Sequence, residues 1–543
     1  MALNTPRQAT TAADSLSTGR ELVAAGRFED AARVLSGAVQ RDPGLFEAHL
    51  LLGKALQRSD RVEEAIASLQ NALAINPASA EVFVNLGSLC ARLGALEDAT
   101  FMLRQALELE PAMIEAENNL ALVLYRRKQF EESEALLLDA LARAPDRPEL
   151  HATLGSVFSE TGRLKEALAH MEKAVELRPD YGEAYSNLGN VLRDLGRIDD
   201  AHAAYGRALD LIPSNAHAHV NRGVALLLTG DFAAGWEEYE WRLETPEARD
   251  VSGLPPRWDA EPLDGKSILV YTEQGVGDVV MFASILPDLI DTGAKVHLWS
   301  TDRLTALLAR SYPDIKVDRL PDVTAKRKFG DDAPALDGID FSVALASLPH
   351  SFRRSRGEFD DANGKTGGRT LTPEETATGR WRRRYQDLGP GLKIGISWRG
   401  GSSQWDKRLR TTRLDDWTEL FALPDVVWIN LQYGDRAEEL RKLEEKTGHK
   451  VHDWPDAVAD LDDFAAQVDA LDLVISMGNT TVHSAGALAK PVWTLVPAVS
   501  AWRWGLSGDD CPWYPTMRLI RQGEDQPWGE VLAPLASDIA DFK

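Results

Sequence analysis

Pro179-Asp-Tyr-Gly-Glu-Ala-Tyr-Ser-Asn-Leu-Gly-Asn-Val-Leu-Arg-Asp-Leu-Gly-Arg-Ile-Asp-Asp-Ala-His-Ala-Ala-Tyr-Gly-Arg-Ala-Leu-Asp-Leu-Ile-Pro213 is one unit of a pattern that fills nearly half of this chain. Its two prolines belong to a ladder, Pro43, Pro77, Pro111, Pro145, Pro179 and Pro213, in which every step is 34 residues. Gly189 belongs to a second column with Gly19, Gly53, Gly87, Gly155 and Gly223, where Ala121 takes the one missing place. Ala208 belongs to a third, with Ala38, Ala72, Ala106, Ala140 and Ala174. Ala201 belongs to a fourth, with Ala31, Ala65, Ala99 and Ala167, broken by Ser133 and Gly235. Small residues in fixed register are what two antiparallel helices need where their backbones approach, and a proline stops the second helix before the next pair begins.

Four columns in phase resemble the tetratricopeptide repeat, and about seven units fit into residues 12–249. The resemblance implies an α-solenoid. The last unit, Gly230-Asp-Phe-Ala-Ala-Gly-Trp-Glu-Glu-Tyr-Glu-Trp-Arg242, is degenerate and aromatic, which predicts a cap that packs on whatever follows. Asn85, Asn119, Asn187 and Asn221 recur at one repeat position, with Thr153 between them. Two readings are open: a ladder that bonds the backbone of an extended protein acceptor, or asparagines that bridge neighbouring helices.

The net charge of −24 argues against a nucleic-acid binder. Two cysteines, Cys90 and Cys511, point to a reducing compartment. No apolar stretch reaches the ~18 residues of a membrane span, so the chain reads as cytoplasmic.

Residues 250–266 read as a linker rich in turn formers, including Gly253, Pro255 and Pro256. Beyond it the pattern turns to strands alternating with helices. Strands are expected at 267–272, 295–299, 340–345, 393–397, 426–431, 472–476 and 491–496, with a second connector at 367–391. That alternation predicts parallel sheets in two Rossmann-like halves, 267–385 and 392–543.

The chain is similar here to bacterial proteins in which tetratricopeptide repeats precede a transferase region related to the ADP-heptose glycosyltransferases. The resemblance rests on Gly235-Trp-Glu-Glu-Tyr-Glu-Trp-Arg242, Glu273-Gln-Gly-Val-Gly-Asp278, Ser347-Leu-Pro349, Ile394-Gly-Ile-Ser-Trp398, Ser476 to Leu488, and Trp513-Tyr-Pro-Thr-Met-Arg-Leu519. It implies a solenoid followed by a GT-B module, with acceptor on the first half and nucleotide sugar on the second. It further implies Asp278 as catalytic base.

Gly275 and Gly277 free backbone amides at a strand-to-helix turn, where an anionic group fits. In the second half, Asn479, Thr480, Thr481 and His483 open a helix after a buried strand, the pattern of a phosphate cradle. Trp398, Lys407 and Arg410 lie in a loop after another strand, and Lys407 is the residue the resemblance favours for the leaving phosphate. Asp278 as a simple helix cap, His483 as a structural histidine and the basic loop as solvated surface are the plain alternatives. Many members of the resembling group carry Ser-Val-Asp-Thr where this chain has Ser476-Met-Gly-Asn479, which puts the donor in question. Asp460-Leu-Asp462 reads as a helix cap, and neither a metal nor another cofactor is expected.

The reading reached from sequence is an inverting, metal-independent protein O-glycosyltransferase that works on Ser or Thr of a protein held by the repeats. Similarity to flagellin glycosyltransferases implies flagellin as acceptor and a CMP-linked nonulosonic acid as donor. A surface polysaccharide glycosyltransferase and a non-catalytic repeat scaffold are the alternatives.

Overall fold

The computed structural model describes residues 11–320, 336–401 and 404–542. The chain forms two compact units, Met1–Asn187 and Leu188–Lys543. No helix among the described residues is long and apolar enough to cross a membrane.

In the first unit, helices of 13 residues alternate with helices of 14, beginning with Ala12–Ala24 and Phe28–Arg41 and continuing to Pro148–Glu160 and Leu164–Leu177. The glycine column marks the close approach within each pair. A Cβ on Gly53 would sit 2.5 Å from Leu69 Cγ, and one on Gly87 would sit 2.7 Å from Leu103 Cγ. The alanine columns are sealed between helices, with Ala31, Ala65, Ala99 and Ala167 fully buried. The two exceptions belong together: buried Ser133 donates its hydroxyl to the carbonyl of Ala121 at 2.7 Å, so the misfit hydroxyl is satisfied by the neighbouring misfit position. Each second helix stops at the residue before its proline. Asp42, Asn76 and Arg178 all adopt φ near −130 to −138° and ψ near 91 to 93°, the extended conformation that the proline ring imposes on its predecessor.

The second unit carries the last repeats and ten strands. These are β1 (Ser267–Tyr271), β2 (Lys295–Ser300), β3 (Lys316–Arg319), β4 (Phe341–Ala344), β5 (Leu392–Ser397), β6 (Val426–Asn430), β7 (Val451–His452), β8 (Leu473–Met477), β9 (Val492–Val496) and β10 (Met517–Arg521). They form two sheets, ordered β3-β2-β1-β4 and β10-β9-β8-β5-β6-β7, and the pairings are parallel. Counted within itself, the larger sheet runs 3-2-1-4-5-6 once β5 and β8 are taken as the strands flanking the reversal, so the winding changes direction between them. The smaller one reverses between β1 and β4. Crevices at such reversals open at the carboxyl ends of the strands.

The degenerate repeat is bound into this unit. Trp236, on the helix Phe232–Tyr239, is buried and donates its indole N–H to the Arg353 carbonyl at 2.8 Å. Its ring meets Trp502 edge-on, with centroids 5.4 Å apart, and also meets Phe282 and Trp513. Behind it, buried Arg242 pairs with Glu240 at 2.6 Å and Glu273 at 3.0 Å and donates to Ser347 Oγ at 2.8 Å. The repeat pattern runs on to residue 249, but the compact units divide at Asn187.

The region 367–391 is more than a connector. Glu374 caps a helix, Glu375–Gln386, whose Trp381 meets Trp454 edge-on and donates to Asp463 at 3.0 Å. That segment, expected to close the first half, therefore packs on the helix Leu461–Asp469 of the second. Arg382 bonds Asp469 at 3.1 Å and Arg384 lies over the Trp381 ring. Asp460 caps the following helix through a bond from the Asp462 amide at 2.9 Å.

Candidate functional site

Two strand-to-helix turns build one cavity. After β1, Gly275 stands in extended conformation as the cap of the helix Val276–Ala283. After β8, Asn479 caps the helix Thr480–Ala487, its side-chain oxygen accepting from the Thr481 amide at 2.9 Å. The two helix starts meet at Gly277. A Cβ there would lie 3.0 Å from His483 Cδ2 and 3.5 Å from Thr480 Cα, so glycine lets the two starts approach closely. Asn479 also donates to Ser397 Oγ at 2.8 Å and to the Arg399 carbonyl at 2.9 Å. These bonds tie the loop after β8 to the loop after β5, across the crevice where the larger sheet reverses.

The cavity measures about 390 Å3 and is lined by Gly275, Gly277, Asp278, Arg410, Tyr433, Asn479, Thr480, His483, Arg503 and Trp504, among others. Asp278 is paired: Arg503 Nε donates to its Oδ1 at 2.7 Å, and Nη2 reaches the same oxygen. Arg503 rests over the Trp502 ring, 4.5 Å from its centroid. Arg410 donates to the Gly478 carbonyl. With two helix starts and the guanidinium groups of Arg410 and Arg503 on its walls, the cavity suits an anion.

His483 is buried, stacked on Trp504 at 5.3 Å and hydrogen-bonded through Nδ1 to the Tyr514 hydroxyl at 3.1 Å. Burial pushes its imidazole down to about 3; the carboxylate of Asp278 opposes that shift, and Arg503 and Arg410 add to it. The ring is therefore neutral at physiological pH and contributes no positive charge to an anion. Burial also raises the Tyr514 hydroxyl well above its usual range, so it stays protonated.

Of the residues predicted from sequence, the cavity gathers Gly275, Gly277, Asp278, Arg410, Asn479, Thr480 and His483. Thr481 is buried behind it. Trp398 lies apart from it: it follows β5 directly into the apolar core beside the larger sheet, is 1% exposed, and donates its indole N–H to Glu439 at 3.0 Å. So does Lys407. It is exposed on the short helix Gln404–Leu409 and does not line the cavity, whereas Arg410 three residues on does. The amide of Asn479 is spent on protein partners, which makes it an organiser of the loops.

The asparagine column divides. Asn85 donates to the Glu81 carbonyl of its own helix at 2.7 Å, and Asn119 donates to Ser88 Oγ of the preceding repeat at 3.1 Å, the bridging reading. Asn187 is half-buried on the helix Gly182–Asp194, while Asn221 belongs to the second unit. Sequence reasoning missed Arg503, Trp504 and Tyr433. The signal for the first two was a lone arginine between two tryptophans, Trp502-Arg503-Trp504, just after a buried strand.

Tetratricopeptide-repeat family profiles match residues 22–93, 80–113, 112–180 and 170–203, and a TPR-repeat profile matches 189–230. Residues 22–230 are thus tetratricopeptide repeats. Protein FlbA of Caulobacter vibrioides is 31% identical over 332 residues, covering 58% of this chain and 54% of FlbA. The chain spans about half the length of that relative. Since 58% of 543 residues exceeds everything up to residue 230, the similarity runs past the repeats. Among solved structures, the type IV pilus biogenesis factor PilW is 22% identical with a TM-score of 0.34, over 38% of this chain and 96% of its own. The tetratricopeptide-repeat protein TTC0263 of Thermus thermophilus is 25% identical with a TM-score of 0.30, over 34% of this chain and 99% of its own.

Proposed function

We propose that this chain is a protein O-glycosyltransferase of GT-B architecture, inverting and metal-independent. The observation that carries the reading is the cavity in which Asp278 shares a wall with Arg410, Arg503 and two helix starts. A base and an anion cradle are the two things the reaction needs. Two parallel sheets that each reverse their winding support it.

In the reaction, a Ser or Thr hydroxyl of the acceptor gives its proton to Asp278 as its oxygen attacks the anomeric carbon from the face opposite the nucleotide. The bond from that carbon to the phosphate oxygen breaks, the nucleotide leaves with the electron pair, and the sugar inverts. The helix-start amides and the guanidinium groups stabilise the charge that collects on the phosphate. His483, neutral, shapes the wall. The repeats recruit the acceptor protein, for which we favour flagellin, with a CMP-linked nonulosonic acid as donor.

A scaffold without turnover is the second reading, favoured by one observation: Asp278 is engaged by Arg503. Intact mass of flagellin from cells carrying the wild-type gene or Asp278→Ala separates the two. Regular mass additions lost in the variant support transfer to flagellin. Unchanged mass, with the variant expressed and folded, overturns it.

A further inference from the structure

The pair between Asp278 and Arg503 poses a problem for the reaction above. While Arg503 holds Oδ1, only the other oxygen of Asp278 is left for a substrate's proton, and an arginine committed to a carboxylate neutralises nothing else. Both difficulties disappear if the pair opens when the donor arrives.

We infer that Arg503 is a ligand for the donor's phosphate, held by Asp278 until a phosphate draws it away and so frees the base. This rests on reading the cavity as the donor site. Four features carry it. Both donors of Arg503 converge on Oδ1 alone, so the pair lacks the two parallel bonds, one to each oxygen, that make guanidinium–carboxylate contacts strongest. The two side chains are each 21% exposed and both line the cavity, so an incoming anion can reach the contact. The ring of Trp502 beneath the guanidinium offers a platform on which it can pivot without leaving the cavity. Phosphate, with more oxygens and more charge than one carboxylate oxygen, is the better partner for a planar fork of donors.

Arg410 and Arg503 have different tasks in this arrangement. Arg410 already braces the loop after β8 through the Gly478 carbonyl. Arg503 trades one anion for another, and the trade couples donor binding to base release. A cavity without donor is left with its base engaged, which restrains proton transfer until the nucleotide sugar is seated.

Titration calorimetry with CMP, CDP, UDP, ADP and GDP on the full chain tests this without any transfer step. At least one nucleotide is expected to bind the wild type. Arg503→Gln should weaken it about tenfold or more, and Asp278→Asn, which removes the competitor, should tighten it about 3- to 10-fold. In the Arg503→Gln background, Asp278→Asn should no longer tighten binding. That loss of coupling is something a merely structural arginine would not produce. If a nucleotide binds the wild type and Arg503→Gln equally, or Asp278→Asn acts alike with and without Arg503, the inference is overturned while the donor site stands. If no nucleotide binds the wild type, the donor-site reading falls and takes the inference with it.

Discussion

His483 is a buried neutral base, and that makes the stability of the second unit depend on pH in a way that can be calculated. An unfolded histidine titrates near 6.5, whereas His483 in the fold titrates at about 3. Between those values the unfolded chain holds a proton that the folded chain refuses. Stability from this group is therefore complete above about pH 6.5 and is lost as pH falls, by about 1.4 kcal/mol per unit. At pH 4.5 the loss reaches about 3 kcal/mol relative to neutral pH. The perturbation is His483→Gln, which has no titrating group at this site. Urea denaturation, followed by tryptophan fluorescence at pH 7.5, 6.0 and 4.5, gives the stability of each protein. The variant starts lower at pH 7.5, because it loses the stack on Trp504 and the bond to Tyr514. The difference between the two proteins should then shrink by about 3 kcal/mol on going to pH 4.5, since the other histidines are common to both. Parallel pH curves would refute the reasoning, as would a His483 ring signal that titrates near 6.5 in NMR.

Three further outcomes are expected. Arg242→Ala should cost about 3–5 kcal/mol in urea denaturation, because it leaves the carboxylates of Glu273 and Glu240 without their shared buried cation. Gly53→Ala and Gly206→Ala should differ in sign in thermal melts: the first drives a Cβ into Leu69 at a cost of about 1–3 kcal/mol, while the second meets nothing within 4 Å and gains up to about 1 kcal/mol of helix propensity. Trp398→Phe and Lys407→Ala should each leave nucleotide affinity within about twofold by calorimetry, the first with a stability loss of about 1–2 kcal/mol for its bond to Glu439.

The repeats were legible because each constraint acts within one 34-residue period. A proline fixes its neighbour's backbone, and a glycine marks a contact sixteen residues away, as between Gly53 and Leu69. The seven expected strands were legible as buried apolar runs. β3, β7 and β10 were not, the first being Lys-Val-Asp-Arg, the second only two residues long and the third Met-Arg-Leu-Ile-Arg, broken by its arginines. The helix Glu375–Gln386 was masked by the glycines around it and by a surface of arginines whose partners lie more than eighty residues on. At the site, the two helix starts could be read from their own loops. Arg503 could not be paired with Asp278, because 225 residues separate them and no spacing rule connects one sheet's loop to the other's. Trp398 was assigned by proximity in sequence to basic residues, but the side chain after a strand end can turn inward as easily as outward, and the apolar core took it.

Trp236 fixes the last repeat in a way the earlier ones are not fixed. Because the final repeat is keyed into the parallel-sheet unit by one indole hydrogen bond and a ring of aromatic edges, its identity is constrained by partners outside the repeat pattern. The units ahead of Asn187 carry no such obligation, since in an array of this kind each needs only a neighbour of the same shape. Whole 34-residue periods can therefore be gained or lost upstream, as cassettes, while the reading frame of the aromatic lock and the chemistry beyond it are left undisturbed. Lineages of such chains should vary in length at the front and keep their last repeat.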